Sequence, residues 1–189
     1  VVVNGQELPT DLVVVGIGAE PVVDLAAAAS ISTADGFIVD EYLRTEDEHI
    51  WAIGDCARFP CAYTGGRVRR ESVQNANDQA RALAMTLSGI PTKYTDLPWF
   101  WSHQGQCKIQ IAGVGDTASH TVTRRDDVEG ALATFCFNDD EMLIAVETVN
   151  QPRIHLAARK ALIAPRTLTV SDLERAQFDL RAALTQCVA

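Results

Sequence analysis

Asp11-Leu12-Val13-Val14-Val15-Gly16-Ile17-Gly18 is the stretch from which the fold is first read. An unbroken apolar run that is mostly β-branched suits a strand buried on both faces, as in a parallel sheet. Gly16 and Gly18 end the run. Without a Cβ they let backbone approach a ligand closely, and in open α/β sheets ligands lie beyond the carboxyl ends of strands. A tight strand-to-loop turn is the other reading. The pattern is not the dinucleotide fingerprint, which needs a third glycine three residues on; position 21 is Pro.

Upstream, Val1 to Val3 reads as a strand and Asn4-Gly5 as a hairpin turn. A strand with no element before it is the expected look of a piece of a longer polypeptide. Downstream come a short helix from Asp24 to Ala29, a turn at Asp35-Gly36 and a strand at Phe37 to Val39. Ile50 to Ile53 reads as another strand, ending in Gly54-Asp55-Cys56. A loop rich in Gly and Arg then runs to Arg70. In the longest helix, Val73, Ala76, Ala80, Leu83 and Leu87 recur at spacings of three and four, an apolar stripe of 3.6-residue period. Ser72 suits the N-cap, and Gly89 with Pro91 beyond it suits the stop.

After Pro98 the texture changes. Lys108 to Gly113, Thr117 to Thr123, Ala131 to Phe137 and Met142 to Val149 read as successive strands. Helices from Pro152 to Ile163 and from Ser171 to Leu184 follow. Strands followed by helices, rather than alternating with them, predict a separate α+β domain with its boundary near Pro98.

Of the 189 residues 47% are hydrophobic, enough for a core, and the formal charge is −9. An acidic surface repels phosphate backbones and argues against nucleic-acid binding. The longest apolar runs are too short to span a bilayer. No signal peptide opens the sequence, so a soluble, cytoplasmic protein is expected. Cys56, Cys61, Cys107, Cys136 and Cys187 are odd in number and form no Cys-x-x-Cys, which favours reduced thiols over a disulfide framework or a zinc site. The histidines are scattered, with no metal-ligand spacing, so no metal is expected.

Three further stretches carry chemistry. Asp55, at the end of an apolar strand, can accept hydrogen bonds from the hydroxyls of a sugar-like chain, with Gly54 letting that chain lie close; capping the next turn is its other use. Glu71-Ser72-Val73-Gln74-Asn75-Ala76 opens a helix, whose free N–H groups and positive dipole end suit an electron-rich ligand edge. An ordinary capped surface helix has the same pattern. Pro98-Trp99-Phe100-Trp101-Ser102 would put Trp99 and Trp101 on one side of a strand and Phe100 on the other. Those rings can stack on a flat ligand or pack a domain junction.

In order and spacing, Asp11 to Gly18, Trp51 to Cys56, Glu71 to Ala76 and Pro98 to Ser102 resemble the motifs of the ferredoxin reductases of oxygenase systems. Lys108 to Gly113 and Val149-Asn150-Gln151-Pro152 extend the match, so the sequence resembles the C-terminal half of such an enzyme. The resemblance implies part of a glutathione-reductase-like FAD/NAD-binding fold, α/β in class, followed by a C-terminal α+β reductase domain. Residues 1–20 would end the NAD-binding domain, 21–97 would form the second segment of the FAD-binding domain, and 98–189 would cover the flavin and receive the ferredoxin. It implies FAD and NADH as cofactors and a [2Fe–2S] ferredoxin as partner, with no side-chain catalyst. Gly54 and Asp55 would lie along the FAD ribityl chain. The Val73 N–H would face the flavin pyrimidine edge, and Trp101 would sit beside the flavin. Gly16, Gly18 and Glu71 would lie near the nicotinamide end of NADH. Arg81 and Lys108 would meet the ferredoxin. His103 departs from the family pattern, which has Asp after Trp-Ser. A rubredoxin, quinone or oxygen as acceptor, or a fragment that binds a partner without holding flavin, are the competing readings. Alone, the chain is expected to hold FAD weakly and to self-associate through uncovered apolar surface.

Overall fold

The structure, a computed structural model, describes residues 1–126, 130–163 and 168–174, with Glu174 described by its backbone alone. The Asn4-Gly5 signal folds as read. Strand β1 (Val2–Val3) pairs antiparallel with β2 (Gln6–Glu7), and Asn4 and Gly5 take φ values of 51° and 81°. Two left-handed residues are what a two-residue hairpin of the primed type demands. Helix α1 (Asp24–Ala28) follows.

The decisive apolar run behaves differently from its reading. Residues 12–18 join no ladder among the described residues, and Leu12 is 78%, Val14 87% and Ile17 92% exposed. A strand is a pairing: without a hydrogen-bonded neighbour or a covering layer, apolar β-branched residues have nothing to be buried by.

Strand β3 (Phe37–Ile38) pairs parallel with β4 (Ala57–Cys61), which pairs antiparallel with β5 (Gly66–Arg69). The expected strand at Ile50 to Ile53 is reduced to one bridge, Trp51 to Arg44. Its neighbour cannot extend the ladder. Asp40 Oδ1 accepts from the N–H groups of Tyr42 and Arg44, and Leu43 takes a φ of 64°, so that segment is a side-chain-closed turn. Val39, Leu43, Ala52, Phe59 and Tyr94 form the core of this half, with Phe59 and Tyr94 edge to face at 5.1 Å.

Helix α2 (Val73–Leu87) begins where expected, with Ser72 Oγ accepting from Asn75 N–H at 3.1 Å. Its buried face is not the expected one. Gln74, Asn75, Gln79 and Ala82 are buried, whereas Val73, Ala80 and Leu87 of the apolar stripe are exposed. Polar partners explain the rotation. Asn75 Oδ1 accepts from Tyr94 Oη at 3.1 Å and from Gln79 Nε2 at 3.2 Å, and Asn75 Nδ2 donates to Arg70 O at 3.0 Å. Buried polar groups satisfied this fully carry little burial penalty.

From Trp99 the chain forms an antiparallel sheet in the order β6 (Trp99–Gln104), β7 (Cys107–Gly113), β10 (Leu143–Val149), β9 (Leu132–Phe137) and β8 (His120–Arg125). Strand β8 starts later than expected because Gly115 to Ala118 closes a turn, Ala118 N–H to Gly115 O at 3.0 Å. Helix α3 (Pro152–Ile163) has the expected bounds. Its Ile154, Ala158 and Ala161 share one core with Ala133, Phe135 and Phe137 of β9, whose alternate residues face it. Helix α4 (Val170–Glu174) is the described start of the helix expected from Ser171 to Leu184; the rest of that helix, and Cys187, lie outside the described residues. Cys56, Cys61, Cys107 and Cys136 are free thiols. No helix among the described residues is long and apolar enough to cross a membrane.

Candidate functional site

Three of the four motif stretches meet at one cleft. Asp55, Glu71, Ser72, Val73, Ala76, Phe100 and Trp101 line an open hollow of about 390 Å³. A second cavity of about 310 Å³ adjoins it, sharing Glu71, Ser72 and Phe100 and reaching Arg70, Ile111 and Asp116.

The rim at Gly54 is built by backbone. Gly54–Cys56 is one turn of 3-10 helix, with Gly54 at a φ of 76°, a conformation that disfavours a side chain. Gly54 N–H donates to Gln79 Oε1 at 2.7 Å, and a Cβ at Gly54 would stand 3.7 Å from Ala76 Cβ. Helix α2 therefore holds the turn by a buried hydrogen bond and by contact. The Asp55 side chain is exposed, and its carboxylate has no hydrogen-bond partner among the described residues. It is free to accept from a ligand. Val73 is the first residue of α2, so its N–H lacks an intrahelical acceptor, as at any helix start.

The opposite wall comes from β6. Gln74 Oε1 accepts the Trp99 N–H at 3.2 Å, which pins that strand to the start of α2. Trp99 and Trp101 stack at 5.3 Å with 27° between planes, and Trp101 reaches the cleft. Behind them, the Arg159 guanidinium lies over the Trp99 ring at 4.1 Å, and the His155 ring lies 5.7 Å from it. Arg159 and His155 carried no motif, so sequence reading passed over both. The same is true of Gln74, Asn75 and Gln79 as structural anchors; their only signal was polar residues at helical spacing beside the cap.

His155 is 3% exposed, and neither ring nitrogen has a hydrogen-bond partner among the described residues. Burial, with Arg159 and Lys108 nearby, holds its pKa down to about 4, so the imidazole is neutral at ordinary pH. Burial also pushes the Cys136 thiol up, to about 11, with Glu147 adding to it.

The remaining expected site residues lie off the cleft. Gly16 and Gly18 do not line it, and a Cβ at either would meet nothing within 4 Å. Their loop approaches the cleft through Arg69, whose Nη2 is 3.5 Å from Ala19 O. Arg81 is exposed and paired with Asp78 one turn back. Lys108 is half-buried on β7, its N–H held by Asn150 Oδ1 at 2.8 Å. His103 is exposed and sits opposite Lys108 in the β6–β7 register.

These residues fit FAD in the cleft: an unpartnered carboxylate at a glycine-turned rim, a helix N-terminus and a half-exposed indole suit a polyol chain, an electron-rich ring edge and a flat ring face respectively.

Comparison with known proteins extends this. Residues 1–80 match the family described as pyridine nucleotide-disulphide oxidoreductase, and residues 99–184 match the family described as reductase C-terminal. Rhodocoxin reductase of Rhodococcus erythropolis is 46% identical over 183 residues, covering 97% of this chain and 43% of that protein. The crystal structure of the ferredoxin reductase for the CYP199A2 system from Rhodopseudomonas palustris aligns with a TM-score of 0.89 at 44% identity, over 96% of this chain and 45% of that one. The covalent putidaredoxin reductase–putidaredoxin complex aligns at 0.89 and 31% identity, over 98% and 44%. The chain thus spans less than half the length of these relatives. Matched over residues 1–80 and 99–184 by these two families in succession, it belongs to the pyridine nucleotide-disulphide oxidoreductases that carry a reductase C-terminal domain, with ferredoxin reductases among its relatives.

Proposed function

We propose that the full-length protein is an NADH-oxidising flavoprotein that passes electrons to a [2Fe–2S] ferredoxin serving an oxygenase. The observation that carries this is the single cleft lined by Asp55, the start of α2 and Trp101. Asp55 accepts hydroxyls of the ribityl chain, and Gly54 keeps the backbone beside it clear. The Val73 N–H and the dipole of α2 favour negative charge at the ring edge they face. Trp101 walls the ring and, with Phe100, limits water. Glu71 lies at the mouth, where Gly16 and Gly18 approach through Arg69, and receives the nicotinamide end. The chemistry that FAD supplies when bound is uptake of a hydride and release of single electrons.

Division of the chain into 1–20 as the end of an NAD-binding domain, 21–97 as FAD-binding segment and 98–189 as C-terminal domain is supported by two separate hydrophobic cores, one around Phe59 and one around Phe135. The exposed run at 12–17 and the exposed stripe on α2 suit cover by the part of the family's length that this chain does not span. For the partner, charge complementarity is the support. The chain carries −9, yet α3 holds Arg153, Arg159 and Lys160 and no acidic residue. Lys108 of β7 is near enough to the buried His155 of α3 to lower its pKa, so it stands near this helix, and these cationic side chains suit an acidic protein. Arg81 contributes less, because Asp78 already pairs with it. Cytoplasmic location is inferred from the free thiols.

The test is reconstitution of the full-length protein with FAD, followed by NADH. The flavin absorbance should bleach and recover when a [2Fe–2S] ferredoxin is added. Absence of bleaching would remove the reading.

A further inference from the structure

Arg69 closes β5 and touches four separate segments. Its Nε donates to Asp35 Oδ1 at 3.0 Å, and its Nη1 donates to the Asp55 carbonyl at 3.1 Å and to Glu71 Oε1 at 2.5 Å. Its Nη2 approaches Ala19 O at 3.5 Å. The side chain is only 13% exposed, although both of its carboxylate partners are open to solvent. A guanidinium offers five N–H donors in a rigid plane; an ammonium offers its donors from one point. Only arginine can span these acceptors at once.

The Asp35-Gly36 turn is shaped to receive it. A Cβ at Gly36 would stand 2.5 Å from Cys56 O and 3.1 Å from Arg69 Cδ. Turn, cleft rim and arginine stem are therefore in contact. Arg58, opposite Arg69 in the β4–β5 ladder, grips the same turn by donating to Ala34 O at 2.9 Å, yet it does not bond Asp55 or Glu71.

We propose that Arg69 is a positioning residue of the cleft: it fixes the Glu71 carboxylate and the Asp55 backbone relative to the loop carrying Gly16 and Gly18, and so sets how the nicotinamide end of the reductant is received. This rests on reading the cleft as the site of FAD and NADH. Without the fork, the Glu71 carboxylate would no longer be held in place at the nicotinamide end, and ordering it on binding would cost affinity.

The experiment compares Arg69→Lys, Arg58→Gln and Glu71→Gln in the full-length, FAD-loaded protein. Arg69→Lys keeps the charge and loses the fork. It should raise the KM for NADH about tenfold with kcat within about twofold. The Kd for NAD+, read from perturbation of the flavin absorption spectrum, should rise by the same factor at an unchanged FAD-to-protein ratio. Arg58→Gln should move none of these. Glu71→Gln should raise the NAD+ Kd, and the double variant with Arg69→Lys should add little to either single change. An unchanged KM and Kd in Arg69→Lys overturns the proposal, as does Arg58→Gln reproducing its shifts. If Arg69→Lys fails to fold, an unchanged NAD+ Kd in Glu71→Gln overturns it instead. Wild-type protein that takes up no FAD overturns the functional reading beneath it, and this shows before any variant is made.

Discussion

Residues 12–17 and the inner face of α2 invert the usual expectation. The first is almost wholly apolar and stands in solvent; the second carries Gln74, Asn75 and Gln79 and is buried. The difference lies in partners. Nothing among the described residues covers or pairs the apolar run, whereas every polar group on α2's inner face finds a donor or acceptor. Hydrophobicity sets what a segment gains from burial, but neighbours decide whether burial happens.

The sharpest way to break this comparison is at Asn75. Asn75→Ala removes the partners of Tyr94 Oη, Gln79 Nε2 and Arg70 O together. A loss of roughly 3 kcal/mol in chemical denaturation is expected. A loss under about 1 kcal/mol would mean that the polar face is not what seats the helix.

His155 tests burial of a polar group that lacks partners. Its folded pKa of about 4 lies below the unfolded value of 6.5, so between those limits the unfolded chain holds more protons. The contribution of neutral His155 is fully present above about pH 6.5 and is lost as pH falls through about 4. Stability should drop by roughly 3 kcal/mol across that window, and His155→Phe should flatten the profile. Denaturation curves at several pH values decide it; an equal drop in the variant would assign the effect elsewhere.

The Ser72 cap should matter less. Ser72→Ala is expected to cost about 1 kcal/mol, read as a lower thermal midpoint, because Asn75 N–H loses its acceptor.

Smallest of all should be a change in the apolar run. Val14→Asp should alter stability of the chain by less than about 0.5 kcal/mol while reducing self-association measured by sedimentation. A large destabilisation would show the run to be covered in solution.

Legibility followed locality. Asn4-Gly5, Ser72, the bounds of α3 and the alternation of β9 were readable because each depends on residues within a few positions. The three stretches that meet at the cleft were readable by family resemblance rather than by pattern. The strand at Ile50 to Ile53 was misread because its neighbour is turned away by Asp40 and Leu43, about ten residues upstream. The seating of α2 was misread because periodicity reports one apolar face and is silent about polar residues with distant partners such as Gly54, Tyr94 and Trp99.

By itself, then, the amino-acid order determined the local pieces: turns, caps, the long helix, the alternating strands, and which side chains could bind hydroxyls or anionic edges. Only the tertiary structure decided which face of α2 points inward, that Arg69 ties Ala19, Asp35, Asp55 and Glu71 together, and that Arg159 and His155 stand behind the Trp99–Trp101 stack. Those relations join residues as many as sixty positions apart, and the hydrogen bonds and ring contacts that make them have no periodicity along the chain to betray them.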